Sequence, residues 1–222
     1  MDNDTIIIRD IPVSFDLDAI SKRLEIQSNQ KALRMRLEEL AVIAAAIAKP
    51  RAVTLLRSLE VLNDEQVAVG GVTLTSALLR EKMGELGRVF PYMATEGREL
   101  ADWAQALTDP TDLTIVFQLR QAAVKQYEAK LETSIMEKFG IKMVSAMNPG
   151  SLAAWPISQQ EQVFRIMAPY PQEFDIRLTA EKFMDPSYSL SGIFFQTDTK
   201  YYNCQLCPRQ GCPNRKAPST VI

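Results

Sequence analysis

The chain has 222 residues, 46% of them apolar, with 25 Lys and Arg against 27 Asp and Glu for a formal net charge of −2. That balance gives no reason to expect nucleic acid as a partner, and no apolar run is long enough to span a bilayer. There is no histidine, which excludes a Ser-His or Cys-His nucleophilic pair, a His-ligated zinc hydrolase site and an imidazole ligand to cobalt or haem iron.

In chain order, the β-branched run at 5–9 predicts a first strand, and 16–24 a short helix capped by Ser14 or Asp16. Leu33, Leu37, Leu40, Ile43 and Ile47 recur at helical steps and predict a helix over 31–49, with Arg34, Arg36, Glu38 and Glu39 on its solvated side and Pro50 as its stop. Residues 52–62 fit a buried strand or a short helix equally. A strand at 66–72 contains Gly70-Gly71, and Thr73 or Thr75 can cap a helix over 76–86. A strand at 88–94, a turn at Glu96-Gly97 and a helix at 98–107 follow. The helix expected over 112–139 has one broad apolar face (Ile115, Leu119, Ala122, Ala123, Tyr127, Leu131, Ile135), and Gly140 suits its C-terminal cap.

Beyond Gly140, 141–147 predicts a strand, Asn148-Pro149-Gly150-Ser151 a turn, and 156–167 a helix with Ser158 and Glu161 as a capping box. Strands are expected at 174–178 and 189–195, and a Pro-rich tail without regular structure at 208–222. This irregular alternation gives a mixed α+β class with a largely antiparallel sheet flanked by helices. The opening Asp2 and Asp4 do not form a signal peptide, and three cysteines within nine positions are no disulfide framework, so a cytoplasmic setting is expected.

Cys204, Cys207 and Cys212 have metal-ligand spacing, C-x2-C-x4-C, on a Pro- and Gly-rich knuckle with Arg209, Arg215 and Lys216 beside it. Three thiolates are one short of a closed zinc site, so an iron–sulfur cluster and zinc both stay open, as do three reduced thiols with no metal. Tyr201 and Tyr202, after the alternating segment 189–195, are placed to edge a flat ligand or to serve as core and rim. Neither a G-x-G-x-x-G nor a Walker A spacing occurs.

Leu178-Thr179, then Met184-Asp185-Pro186-Ser187-Tyr188-Ser189-Leu190-Ser191-Gly192, resembles the "R-L-T … M-x-P-S-x-S-V-S-G" segment of the reactivation (activation) domain of cobalamin-dependent methionine synthase. Phe194-Phe195, Lys200-Tyr201-Tyr202, Pro149-Gly150 and Trp155-Pro156 fall in the family's order, and the match covers about 142–202. The resemblance implies one activation-domain-like unit over 1–203, helical to about 140 and carrying the ligand face over 141–203, then a cysteine tail over 204–222. It implies Pro149, Gly150, Ser191, Gly192, Tyr201 and Tyr202 as ligand-face residues. It also implies a corrinoid on a partner protein or methyltransferase, S-adenosylmethionine as methyl donor, and an electron donor such as flavodoxin or ferredoxin.

Two departures bear on the ligand. Ala146 and Ser151 stand where the family has an Arg and a Tyr, so the fork that would hold the ligand carboxylate is missing, with Lys142 and Arg177 as candidate replacements. A free-standing reactivation factor, with a cluster relaying the electron, is the leading expectation. A docking module with a structural metal and a redox or metal carrier are the alternatives.

Overall fold

The computed structural model describes residues 4–9, 12–212 and 215–221. Its centre is a long strand, β6 (Arg88–Thr95), buried over all but its first residue. Side chains on a strand alternate between faces, and here each face has its own core. Phe90, Tyr92 and Ala94 point into one, Val89 and Met93 into the other. Strand β10 (Ser189–Gln196) repeats the rule, with Phe194 on the first side and Ile193 and Phe195 on the second. Both faces are covered, so these strands read as continuous apolar runs.

The sheet has eight strands, all antiparallel. One edge of β6 carries β2 (Arg51–Leu55) and then β3 (Arg57–Val61), which resolves the ambiguous 52–62 stretch as strand interrupted at Leu56. From there the sheet forks, β2 to β1 (Thr5–Ile8) and β3 to β4 (Gln66–Val69) and β5 (Val72–Thr75). Gly70 and Gly71 lie between β4 and β5 rather than within a strand, with φ of 56° and 81°. A two-residue hairpin turn of this hand requires positive φ at both positions, which glycine adopts without strain. The other edge of β6 takes β10, then β7 (Val144–Met147). A separate two-stranded ribbon joins β8 (Arg177–Leu178) to β9 (Met184–Asp185).

The first core is roofed by α1 (Leu17–Arg23), α2 (Lys31–Ile47), α4 (Arg98–Gln105) and α5 (Pro110–Phe139). The 30 residues of α5 start from Asp109, which accepts from Thr111 N at 2.8 Å and Asp112 N at 3.0 Å, with Pro110 in the first turn. They end on Gly140 in the left-handed conformation. Its buried face runs from Ile115 to Ile135, with Ala122 at the margin. The expected apolar face of α2 is rotated: Leu37, Leu40, Ala41 and Ala44 are buried, while Ile43 is 40% exposed. Small alanines let α2 approach α5 closely, and that contact sets the buried arc.

The second core packs α3 (Ala77–Met83), α6 (Gln160–Ile166) and α7 (Tyr170–Glu173) on the opposite face. Ser76, not Thr73 or Thr75, caps α3, its Oγ accepting from Leu79 N at 3.2 Å; both threonines lie in β5. The Ser158–Glu161 capping box is not formed. A 3₁₀ turn, Ile157–Gln159, leads into α6 without a side-chain cap, and Glu161 accepts from Lys182 at 2.6 Å instead. Of the strand expected at 174–178 only β8 forms, because α7 runs up to Phe174.

Candidate functional site

The site is built where β7 turns away from β10. Asn148 to Ser151 form a turn closed by Ser151 N on Asn148 O at 3.2 Å, with Gly150 at φ 78°. A Cβ on Gly192 would lie 2.2 Å from Met147 O and 2.7 Å from Asn148 Nδ2, so only glycine lets β10 approach the turn this closely. Asn148 Nδ2 donates to Tyr92 Oη at 2.7 Å and to Ser191 O at 2.8 Å, and Tyr92 Oη donates to Glu128 at 3.0 Å. This chain of bonds ties turn, sheet and α5 together. Burial, and then the neighbouring Glu128 charge, hold the Tyr92 phenol well above its ordinary pKa, so it stays a donor.

Between that turn and α5 run two cavities of about 540 and 680 Å³ that share Lys125, Glu128, Asn148, Ser151 and Lys216, and so form two lobes of one groove. Pro149 and Ser191 line the larger lobe with Tyr188 and Phe183, and Gln160 Nε2 donates to Ser191 Oγ at its base. Tyr201 and Tyr202 line the smaller lobe beside Ala146. Burial, then Glu81 and Cys204, push the Tyr201 phenol up to about 12, and its hydroxyl is buried without a hydrogen-bond partner. Gly150 borders a third, more open cavity that adjoins the larger lobe through Pro149, Ser151, Ile157 and Phe183, and Gly192 is buried beneath the turn, lining neither lobe.

The candidate replacement cations are elsewhere. Arg177 has a 76% exposed side chain paired with Asp175, and Lys142 is exposed; neither lines the groove. The groove's cations are Lys125, Lys182, Lys200 and Lys216. Lys125, Glu128 and Glu132 sit three and four residues apart on α5, a polar stripe beside the apolar face that the helical pattern already contains. Lys216 has no such signal. At the mouth, Arg120 grips the buried Glu96 and lies over the Tyr188 ring, its Cζ 4.2 Å from the centroid.

Cys204, Cys207 and Cys212 are free, half-buried, and all line the smaller lobe. Cys204 belongs to a 3₁₀ turn, Asn203–Leu206. Among the described residues no three Cys, Asp or Glu side chains converge closely enough to hold a single metal ion. No helix among them is long and apolar enough to cross a membrane.

This antiparallel sheet roofed by helices is similar in fold to a methionine synthase reactivation domain. Of 13 solved chains that match it, one is the crystal structure of the MetH reactivation domain bound to AdoHcy. The TM-score is 0.64 at 13% identity, over 89% of this chain and 80% of that one. At that identity the likeness establishes the fold. No protein-family model matches the chain, and no curated protein matches it by sequence.

Proposed function

We propose that this chain binds S-adenosylmethionine, and its product S-adenosylhomocysteine, in the groove beneath α5 and assists the reductive remethylation of a Co(II) corrinoid on a partner protein. The observation that carries this reading is the groove itself, lying in a fold shared with a domain solved with AdoHcy bound and walled by Pro149, Ser191, Tyr201 and Tyr202. Its charges suit the ligand. Lys125 and Lys216 can hold the carboxylate that an Arg at position 146 would otherwise hold, and Glu128 faces the same space with negative charge for an ammonium or a sulfonium.

The protein's contribution in this reading is position. The sulfonium methyl must be held in line with a cobalt on the partner while an external one-electron donor, of flavodoxin or ferredoxin type, supplies the reducing electron. The groove's rim supports docking: Phe183 is 60% and Phe117 46% exposed, beside Tyr188. Exposed aromatics around a polar-floored cleft mark an association surface.

Calorimetric titration with S-adenosylhomocysteine tests the first half, and reduction and methylation of a Co(II) corrinoid protein with S-adenosylmethionine and a reductant tests the second. Saturable binding that is lost in Lys125→Ala/Lys216→Ala, and faster methylation with the chain present, are expected. Absence of both leaves only a shared fold.

A further inference from the structure

The tail closes the smaller lobe through its backbone. Arg215 donates to Cys204 O at 2.8 Å and to Cys207 O at 3.3 Å, while Thr220 N and Oγ1 both reach Gln205 O at 2.8 Å. This clasp bends the chain so that Cys204, Cys207 and Cys212 share the wall of one cavity of about 540 Å³. Lys216 N donates to Cys204 Sγ at 3.4 Å, the kind of bond that stabilises a sulfur bearing negative charge. The wall also carries Lys125, Lys200 and Lys216 together with Glu128 and Glu132. Burial, then repulsion from Arg23 and Lys216, hold Lys125 below the ordinary lysine pKa.

The number of ligands discriminates among metals. Zinc binds thiolates at about 2.3 Å, which brings its sulfurs within roughly 4 Å of one another, and a structural site needs four ligands. The lobe offers three thiols, and the chain has no histidine to complete the set. An iron–sulfur cluster takes its thiolates on separate irons, so they stand further apart, and its net charge with thiolates is negative. Soft thiolate ligands favour it, and the lobe has room for a body larger than one ion.

We propose that Cys204, Cys207 and Cys212 ligate an iron–sulfur cluster in the lobe closed by the tail, leaving one iron without a cysteine ligand. This holds whether or not the groove binds S-adenosylmethionine, and its test uses neither that ligand nor a corrinoid protein.

The full chain is purified without oxygen and incubated with equal amounts of ferrous and ferric iron and with sulfide, then desalted and analysed for iron, sulfide and zinc with a visible spectrum. Iron and sulfide retained in equal amounts, with a broad absorption bleached by dithionite, are expected. The triple variant Cys204→Ser/Cys207→Ser/Cys212→Ser is expected to lose both metal and colour while keeping a cooperative thermal unfolding transition, because the three side chains are only half-buried and of them only Cys207 packs against the edge of the second core. Arg215→Ala is expected to fold and to lose iron faster to a chelator than the parent. Equal iron and sulfide on the triple variant, retention of zinc alone, or no retained metal on the parent chain overturns the proposal.

Discussion

Arg120 closes on Glu96 through two parallel hydrogen bonds, Nε to Oε2 at 2.7 Å and Nη2 to Oε1 at 2.5 Å, and the Glu96 side chain is fully buried. The pair ties α5 to the end of β6 at the mouth of the groove, where Glu96 N also donates to Tyr188 O at 3.1 Å. Burial outweighs the Arg120 contribution and raises the Glu96 carboxyl above its ordinary pKa. Removing one partner of a buried pair strands the other charge, so Arg120→Ala is expected to cost about 3–5 kcal/mol of unfolding free energy. Glu96→Gln, which keeps the shape and removes the charge, should cost less than half of that. Urea denaturation of both variants measures the difference, and equal costs would show that charge rather than shape is at stake.

Gly192→Ala places a methyl against Met147 O, where 2.2 Å is available. Backbone on both sides leaves little room to yield, so a loss of about 1–3 kcal/mol or more is expected. Chemical shifts of the 148–151 turn should move with it. A variant as stable as the parent would mean that β7 and β10 can separate without cost.

Tyr92→Phe removes the hydroxyl between Asn148 and Glu128. With these groups left short of a partner in a buried setting, about 1–3 kcal/mol of stability should go. If the groove holds S-adenosylhomocysteine, affinity should also fall by about tenfold, equivalent to 1.4 kcal/mol, because the turn and Glu128 lose their common anchor. Calorimetry reads both quantities on one preparation.

Arg36 donates to Asp112 from Nε at 2.8 Å, and this bond holds the Asp112 carboxyl below its ordinary value of 3.8. A carboxylate depressed in the folded state adds stability above its unfolded pKa, and that stability is lost as pH falls through the folded value. Asp112→Asn should therefore be less stable than the parent at neutral pH, with the gap closing below about pH 4. Melting temperature followed from about pH 2 to pH 7 checks this, and a gap that persists in acid would assign the effect to packing.

Much of the fold was legible where the cause is local. Asp16 capping α1, Gly140 ending α5 and the helix periods of α5 depend on residues three or four positions apart, so the chain itself carries them. The cap of α3 was misplaced because Ser76, Thr73 and Thr75 are chemically alike and only the strand pairing of β4 with β5 takes the threonines away. The exposed Ile43 was misread for a similar reason: the buried arc of α2 depends on where its alanines meet α5.

For the site, the sequence by itself determined the chemistry available: no imidazole anywhere, three thiols at ligand spacing, a Pro-Gly turn and a Ser-Gly strand segment. Only the tertiary structure decided which of these meet. Lys125, Glu128, Asn148, Ser191 and Lys216 come from α5, a turn, a strand and the tail, and they line one groove because the sheet and α5 are packed over a common core. Gly192 shows the same division. Its residue type marks a close approach, but that it supports the turn from beneath instead of facing the groove follows from the Met147 carbonyl opposite it, a neighbour 45 positions away that strand pairing alone supplies.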